Sequence, residues 1–210
     1  MTGFDVLAPG STGLMPADDD LDEARLQIRT AALVGIAQQR TRADVLAFCD
    51  AHPDALHRSC VEGHLTGSAV VVDPATSQTL LIHHAKLDRW LQPGGHADGD
   101  GNLAAVAWRE ATEETGLEGL QVVVPAIDID VHGIPARPGE PEHAHLDLRH
   151  LVLVGPDRAA VGNHETLGAR WLTPGDPAVS AGSELSRLVT RAVEVAAVVT
   201  GAAPGRRRRP

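Results

Sequence analysis

Tyrosine is absent from this 210-residue chain, and two phenylalanines and three tryptophans are its only large aromatics. Few side chains can therefore stack on a nucleobase; Trp90 and Trp171 are the candidates, with core packing the default for each. Cysteine is almost as scarce. Cys49 and Cys60 form no CxxC pair, which excludes a disulfide scaffold and points to buried or free thiols in a reducing compartment, with the cytoplasm expected. No run of about 18 apolar residues occurs, so no membrane span is expected. Met1 to Asp22 lacks a basic start followed by an apolar stretch, so no secretory leader is expected. Positive charge is also short: 18 Lys and Arg face 28 Asp and Glu, for a net charge of −10. General nucleic-acid affinity needs a cationic surface, so nucleic acid is not an expected partner. Lys86 is the single lysine, and the run Arg206–Arg209 reads as a solvated tail.

What is present suits a folded domain, with 43% apolar and 22% charged residues. Residues 1–20 are rich in Gly, Pro and Asp and are expected to be disordered. Residues 21–60 carry helical periodicity in Leu26, Ile28, Leu33, Ile36, Val45, Leu46 and Phe48. They read as a small helical prefix of two helices, the second capped at Thr41, ending at His52-Pro53-Asp54. Thr66–Val72 and Thr79–His83 form a hairpin around the turn Asp73-Pro74-Ala75-Thr76. Arg89–Gln92 is a short extended piece, stopped by Pro93-Gly94-Gly95. A helix follows, capped at Asn102 and closed at Gly116 by a left-handed glycine. Leu120–Val131, Leu146–Val154 and Ala169–Leu172 read as strands, and Ser183–Val199 as a closing helix. The class is α/β, with a mixed β-sheet and helices packed on it, over residues 61–200; residues 201–210 form a basic tail.

On a helical wheel, Leu103, Val106, Ala107, Glu110, Glu113, Glu114 and Leu117 fall in one broad arc. The apolar stripe thus turns, in its last two turns, into three carboxylates at i, i+3 and i+4. Like charges at that spacing repel, and the helix C-terminus disfavours anions further. A divalent cation removes the conflict, and clustered carboxylate oxygens with room for water and phosphate describe a Mg²⁺ or Mn²⁺ site. The glycine turn upstream lets a bare carbonyl approach such an ion.

Gly95 to Leu117, GHADGDGNLAAVAWREATEETGL, closely resembles the Nudix box, G-x5-E-x7-R-E-U-x-E-E-x-G-U. Gly95, Arg109, Glu110, Glu113, Glu114, Gly116 and Leu117 match in register. The resemblance implies a Nudix-like α/β/α sandwich and metal-dependent hydrolysis of a diphosphate linkage in a nucleoside diphosphate derivative or related compound. It implies that Glu113 and Glu114 bind metal, that Glu110 is a ligand or general base, and that Gly94 offers a carbonyl. Arg109 would orient Glu110 through a salt bridge. A later carboxylate, Glu165, would complete the site, with Glu140 and Glu142 as competitors. The box departs from the family once: Gly101 stands where the first glutamate belongs, a residue that braces the loop, and Asp100 or Asp98 is the expected substitute. Similar proteins are often dimers, so a homodimer is an assembly the resemblance allows.

Around this site, His96, Lys86 and Arg89 are candidates for holding phosphates of a small phosphorylated substrate. His143, His145, Asp147 and Arg149 alternate along one strand and share a face, so His145 is a candidate pocket residue. No zinc site is expected from these histidines, because a third neighbouring soft ligand is missing. Two alternatives stand beside hydrolysis. One is a ligand-sensing Nudix module of weak or absent activity, to which Gly101 lends weight. The other is an isomerase of the isopentenyl diphosphate type, disfavoured because both cysteines lie in the prefix.

Overall fold

The computed structural model describes residues 3–84, 89–155, 166–180 and 183–201. A mixed sheet forms its centre, with strands β1 (Asp5–Leu7), β2 (Gly63–Asp73), β3 (Gln78–His84), β4 (Arg89–Leu91), β5 (Gly94–His96), β6 (Gln121–Ile134), β7 (His143–Leu153) and β8 (Thr166–Leu172). The main path runs β1-β6-β7-β2-β3-β4, while β5 pairs with β2 and β8 with β3. Among the described residues only β2 and β7 run parallel, in an unbroken register from Gly63 opposite Ala144 to Val72 opposite Leu153. Helices α1 (Leu21–Thr30), α2 (Ile36–Ala51) and α3 (Leu103–Thr115) cover one face. The other face carries α5 (Ser183–Thr200), preceded by the single turn α4 (Pro177–Ser180).

The side-chain period of two along β2 sorts the layers. Leu65, Ala69 and Val71 pack toward α3 with Leu103, Val106 and Ala107, while Val70 and Val72 pack toward α5 with Leu188, Ala192 and Val195. Gly67 is required where α3 presses closest, since a Cβ there would stand 2.7 Å from the Leu103 carbonyl oxygen. The helical prefix shares the α3-side core through Ala24, Ile28, Val45 and Cys49. It is also stitched to β6: Gln38 donates to the Ile129 carbonyl at 2.9 Å and accepts from the Ile129 amide at 3.2 Å. Cys49 and Cys60 are both buried free thiols, and burial pushes Cys49 up to about 11. No helix among the described residues is long and apolar enough to cross a membrane.

Three features depart from the sequence reading. The first twenty residues are not simply disordered: β1 pairs antiparallel with β6, Leu14 is buried, and Asp20 caps α1 by accepting from the Glu23 amide at 3.0 Å. Composition signalled disorder because Gly, Pro and Asp lack apolar area, but here they supply caps and turns on a surface built elsewhere. Helix α2 begins at Ile36, with Gly35 at φ 90° as its N-cap, so Thr41 lies inside the helix and donates to the Ala37 carbonyl at 3.2 Å. Gly94–His96, read as a bare stop, is a short strand on β2.

Candidate active site

Helix α3 is set at both ends as its sequence dictates. The Asn102 side chain accepts from the Ala105 amide at 3.2 Å, and Gly116 closes the helix at φ 67°. Its carboxylates then meet β5. The buried Glu114 accepts a hydrogen bond from the Gly94 amide at 3.0 Å. Glu110 lies so close to Gly95 that a Cβ at that position would overlap its carboxyl group and push that side chain aside. Glu113 is exposed and, with Glu110, lines a cleft of about 870 Å³. Burial raises the Glu110 carboxyl above its ordinary range, and the nearby Arg109 only partly offsets this.

Arg109 is the hinge pin of this arrangement. Its Nη2 donates to Glu110 Oε1 at 3.1 Å and to the His96 carbonyl at 3.2 Å, and its Nη1 lies 3.9 Å from Asp100 Oδ2. Asp100 is itself buried and accepts from the amides of Ala17 and Asn102, each at 2.9 Å. Asp98, on the same cleft, holds Arg58 through two hydrogen bonds of 2.7 and 2.6 Å, which keeps its carboxyl below the usual range. Pro16, Asp18, Asp19 and His57 also wall the cleft, with His57 Nε2 at 2.8 Å from Asp19 Oδ1.

A model of the NUDIX domain matches residues 63–192, more than half of the chain. The chain belongs to the Nudix hydrolase superfamily. A Bacillus subtilis (strain 168) protein provisionally named an 8-oxo-dGTP diphosphatase is 30% identical over 109 residues, which span 52% of this chain and 66% of that protein. Among solved structures, an Ap4A hydrolase of C. elegans is similar at 19% identity and a TM-score of 0.48, over 65% of this chain and 98% of that one. The E. coli dihydroneopterin triphosphate pyrophosphohydrolase is similar at 17% identity and a TM-score of 0.49, over 62% and 95%.

Within this Nudix domain the departure at Gly101 has a structural cause. The Gly101 amide donates to the Ala17 carbonyl at 2.8 Å, and a Cβ on Gly101 would collide with the Asp20 carbonyl oxygen. Backbone from the N-terminal segment fills the space that a glutamate side chain needs. The adjacent Asp100 carboxylate braces the loop from one residue earlier.

The other expected site residues scatter. Glu165 and Lys86 lie outside the described residues, as does the Arg206–Arg209 tail. Arg89 is exposed on β4, paired in register with His84. His96 and His145 come together, their Nε2 atoms 3.2 Å apart, on the sheet face opposite α3. Asp147 and Arg149 are buried on that same face. Asp147 accepts from Thr66 and Ser68, while Arg149 donates to Asp147, Asp130 and Glu184 at 2.8, 2.9 and 2.6 Å. Sequence reasoning did not find His57, Arg58 or the Asp18–Asp19 segment as cleft residues. Their only signal is that the chain brings them there, and no local pattern encodes that.

Proposed function

We propose that this Nudix-type hydrolase cleaves a diphosphate linkage in a nucleoside diphosphate derivative or a related small phosphorylated compound, with a Mg²⁺ or Mn²⁺ cofactor. The reading is carried by the convergence of Glu110 and Glu114 on Gly94–Gly95, with Glu113 opening into the same cleft. The donor set fits a hard divalent cation: every group is a carboxylate or carbonyl oxygen, and a half-buried carboxylate resists ionisation until a cation faces it. Glu110, Glu113, Glu114 and the Gly94 carbonyl would hold the ion, with Glu165 as the further ligand that the family resemblance suggests. What the ion supplies, when bound, is acidification of water and neutralisation of charge on the leaving phosphate.

The chain's own groups do the rest. Glu110, which opens on the cleft beside Glu113, is the carboxylate placed to take the proton from attacking water, and Arg109 holds it in place. Arg58 and Arg109 line the cleft and are placed to meet substrate phosphates, with Lys86 and Arg89 to be tested beside them, whereas His96 and His145 turn their rings to the opposite face of the sheet. The buried core of α3 and the Asp100 brace fix the geometry before substrate arrives. The test is a panel of nucleoside triphosphates, dinucleoside polyphosphates, nucleotide sugars and ADP-ribose-like diphosphates, each with Mg²⁺ and Mn²⁺. Metal-dependent phosphate or nucleotide release is expected. Tight binding of a panel member without release would favour the sensing alternative instead.

A further inference from the structure

On the face of the sheet away from α3, histidines gather from three strands that are far apart in sequence. His64 on β2, His96 on β5 and His145 on β7 each turn a ring nitrogen inward, and these atoms all lie within 4.8 Å of one another. His143 and His132 flank them, with ring centroids 5.3 and 5.4 Å from His145. We infer that His64, His96 and His145 form a binding site for a divalent first-row transition ion, Zn²⁺ foremost, separate from the carboxylate site on α3.

Two observations carry this. The spacing is right: two nitrogens on one tetrahedral zinc stand roughly 3.3 Å apart, given Zn–N bonds of about 2.0–2.1 Å, and His96 and His145 present Nε2 atoms 3.2 Å apart. The nitrogens are available. His64 is buried, and neither of its ring nitrogens makes a hydrogen bond of ordinary geometry, although the Cys60 backbone stands close enough to act on the ring. Buried polar atoms without partners are rare in native proteins and call for an unseen one. His143 adds a second such atom. Its Nδ1 lies 2.8 Å from the Pro141 carbonyl and donates to it, while its buried Nε2 makes no hydrogen bond and stands 3.8 Å from Glu140 Oε1.

The donor chemistry separates the two sites. Imidazole nitrogens favour Zn²⁺, Co²⁺ or Ni²⁺ and bind Mg²⁺ poorly, whereas the carboxylates of α3 suit Mg²⁺ or Mn²⁺. The ion joins β2, β5 and β7, and so fixes the strand that carries Gly94 and Gly95. The role is that of a positioning site.

The test uses the untagged full chain, stripped by chelator and titrated with Co²⁺ in excess Mg²⁺. A visible d–d absorption that saturates at one equivalent, disappears on adding one equivalent of Zn²⁺, and is absent from His64→Gln, His96→Gln and His145→Gln variants supports the site. Glu113→Gln should keep the full Co²⁺ spectrum while losing Mg²⁺-dependent turnover, so failure of the hydrolase reading and failure of this one are told apart. Circular dichroism establishes that each variant is folded. Should a variant unfold, the wild-type titration still decides. A folded wild-type chain that takes up no Co²⁺ or Zn²⁺ at micromolar concentrations overturns the site, with the His96–His145 contact then a simple hydrogen bond. A near-ultraviolet thiolate charge-transfer band also overturns it, by moving the metal to the group His52, Cys60 and Glu62.

Discussion

The short strand β5 separates two environments that answer burial in opposite ways. At Gly94 and Gly95 it meets carboxylates from α3, while at His96, one residue further on, it meets imidazoles from β2 and β7. Desolvation acts against charge of either sign. It raises Glu110, and it lowers His96 to about 4 and His145 to about 2. The carboxylates are left with negative charge that calls for a cation or a proton. The imidazoles shed their protons and keep their lone pairs. Adjacent residues on a three-residue strand thus sort hard oxygen donors from borderline nitrogen donors, because consecutive side chains leave the backbone on opposite faces.

The largest effect should come from the carboxylate side. Glu113→Gln or Glu114→Gln should lower kcat by about 10³-fold, the scale of losing one preorganised electrostatic group, while circular dichroism and the melting temperature stay close to wild type. Full turnover in either variant breaks the distinction between the two sides of β5. Next comes the loop that braces this side. Gly101→Glu restores the family's box but drives a side chain into the Asp20 carbonyl, and should destabilise the fold by about 1–3 kcal/mol, the usual cost of overpacking. A urea midpoint unchanged from wild type would show that the N-terminal segment does not occupy that space.

Acid should find the histidine-rich strand β7 and its neighbours. His150 is also buried, which lowers it to about 4. These rings titrate lower folded than at their ordinary 6.5, so the unfolded chain binds more protons between about 4 and 6.5. Their contribution to stability is complete above that window and falls as pH drops through it. In chelator, the urea midpoint should fall between pH 7 and pH 5, and His150→Leu should recover on the order of 1–2 kcal/mol of that loss. A loss as steep in His150→Leu as in wild type would exclude burial of this ring as a source. The smallest effect is expected at the cleft rim. Arg58 and Asp98 form an exposed pair, with side chains 58% and 46% accessible, so Asp98→Asn should shift stability by less than about 1 kcal/mol. Arg58→Gln should raise KM more than it lowers kcat.

Much of this was legible because it is local. Helix α3, its Asn102 and Gly116 ends and the order of its carboxylates follow from spacing alone, as does the hairpin of β2 and β3. The cleft walls were not legible. Asp18 and Asp19 come from a stretch whose composition resembles a disordered tail, and Arg58 follows the prefix; each reaches the cleft through contacts with residues some 40 to 80 positions away. The histidine cluster was hidden for the same reason. The alternation in His143 and His145 was visible, but the third ligand comes from β2 by way of a parallel pairing that no pattern within β7 specifies.

By itself, then, the sequence determined the α/β class, the caps and length of α3, and the placing of Glu110, Glu113 and Glu114 along it, since those depend on neighbours within one or two turns. Only the tertiary structure decided what stands where the box glutamate is missing, which residues wall the cleft, and that three histidines share one point. Those are long-range coincidences of position, set by strand order, register and core packing.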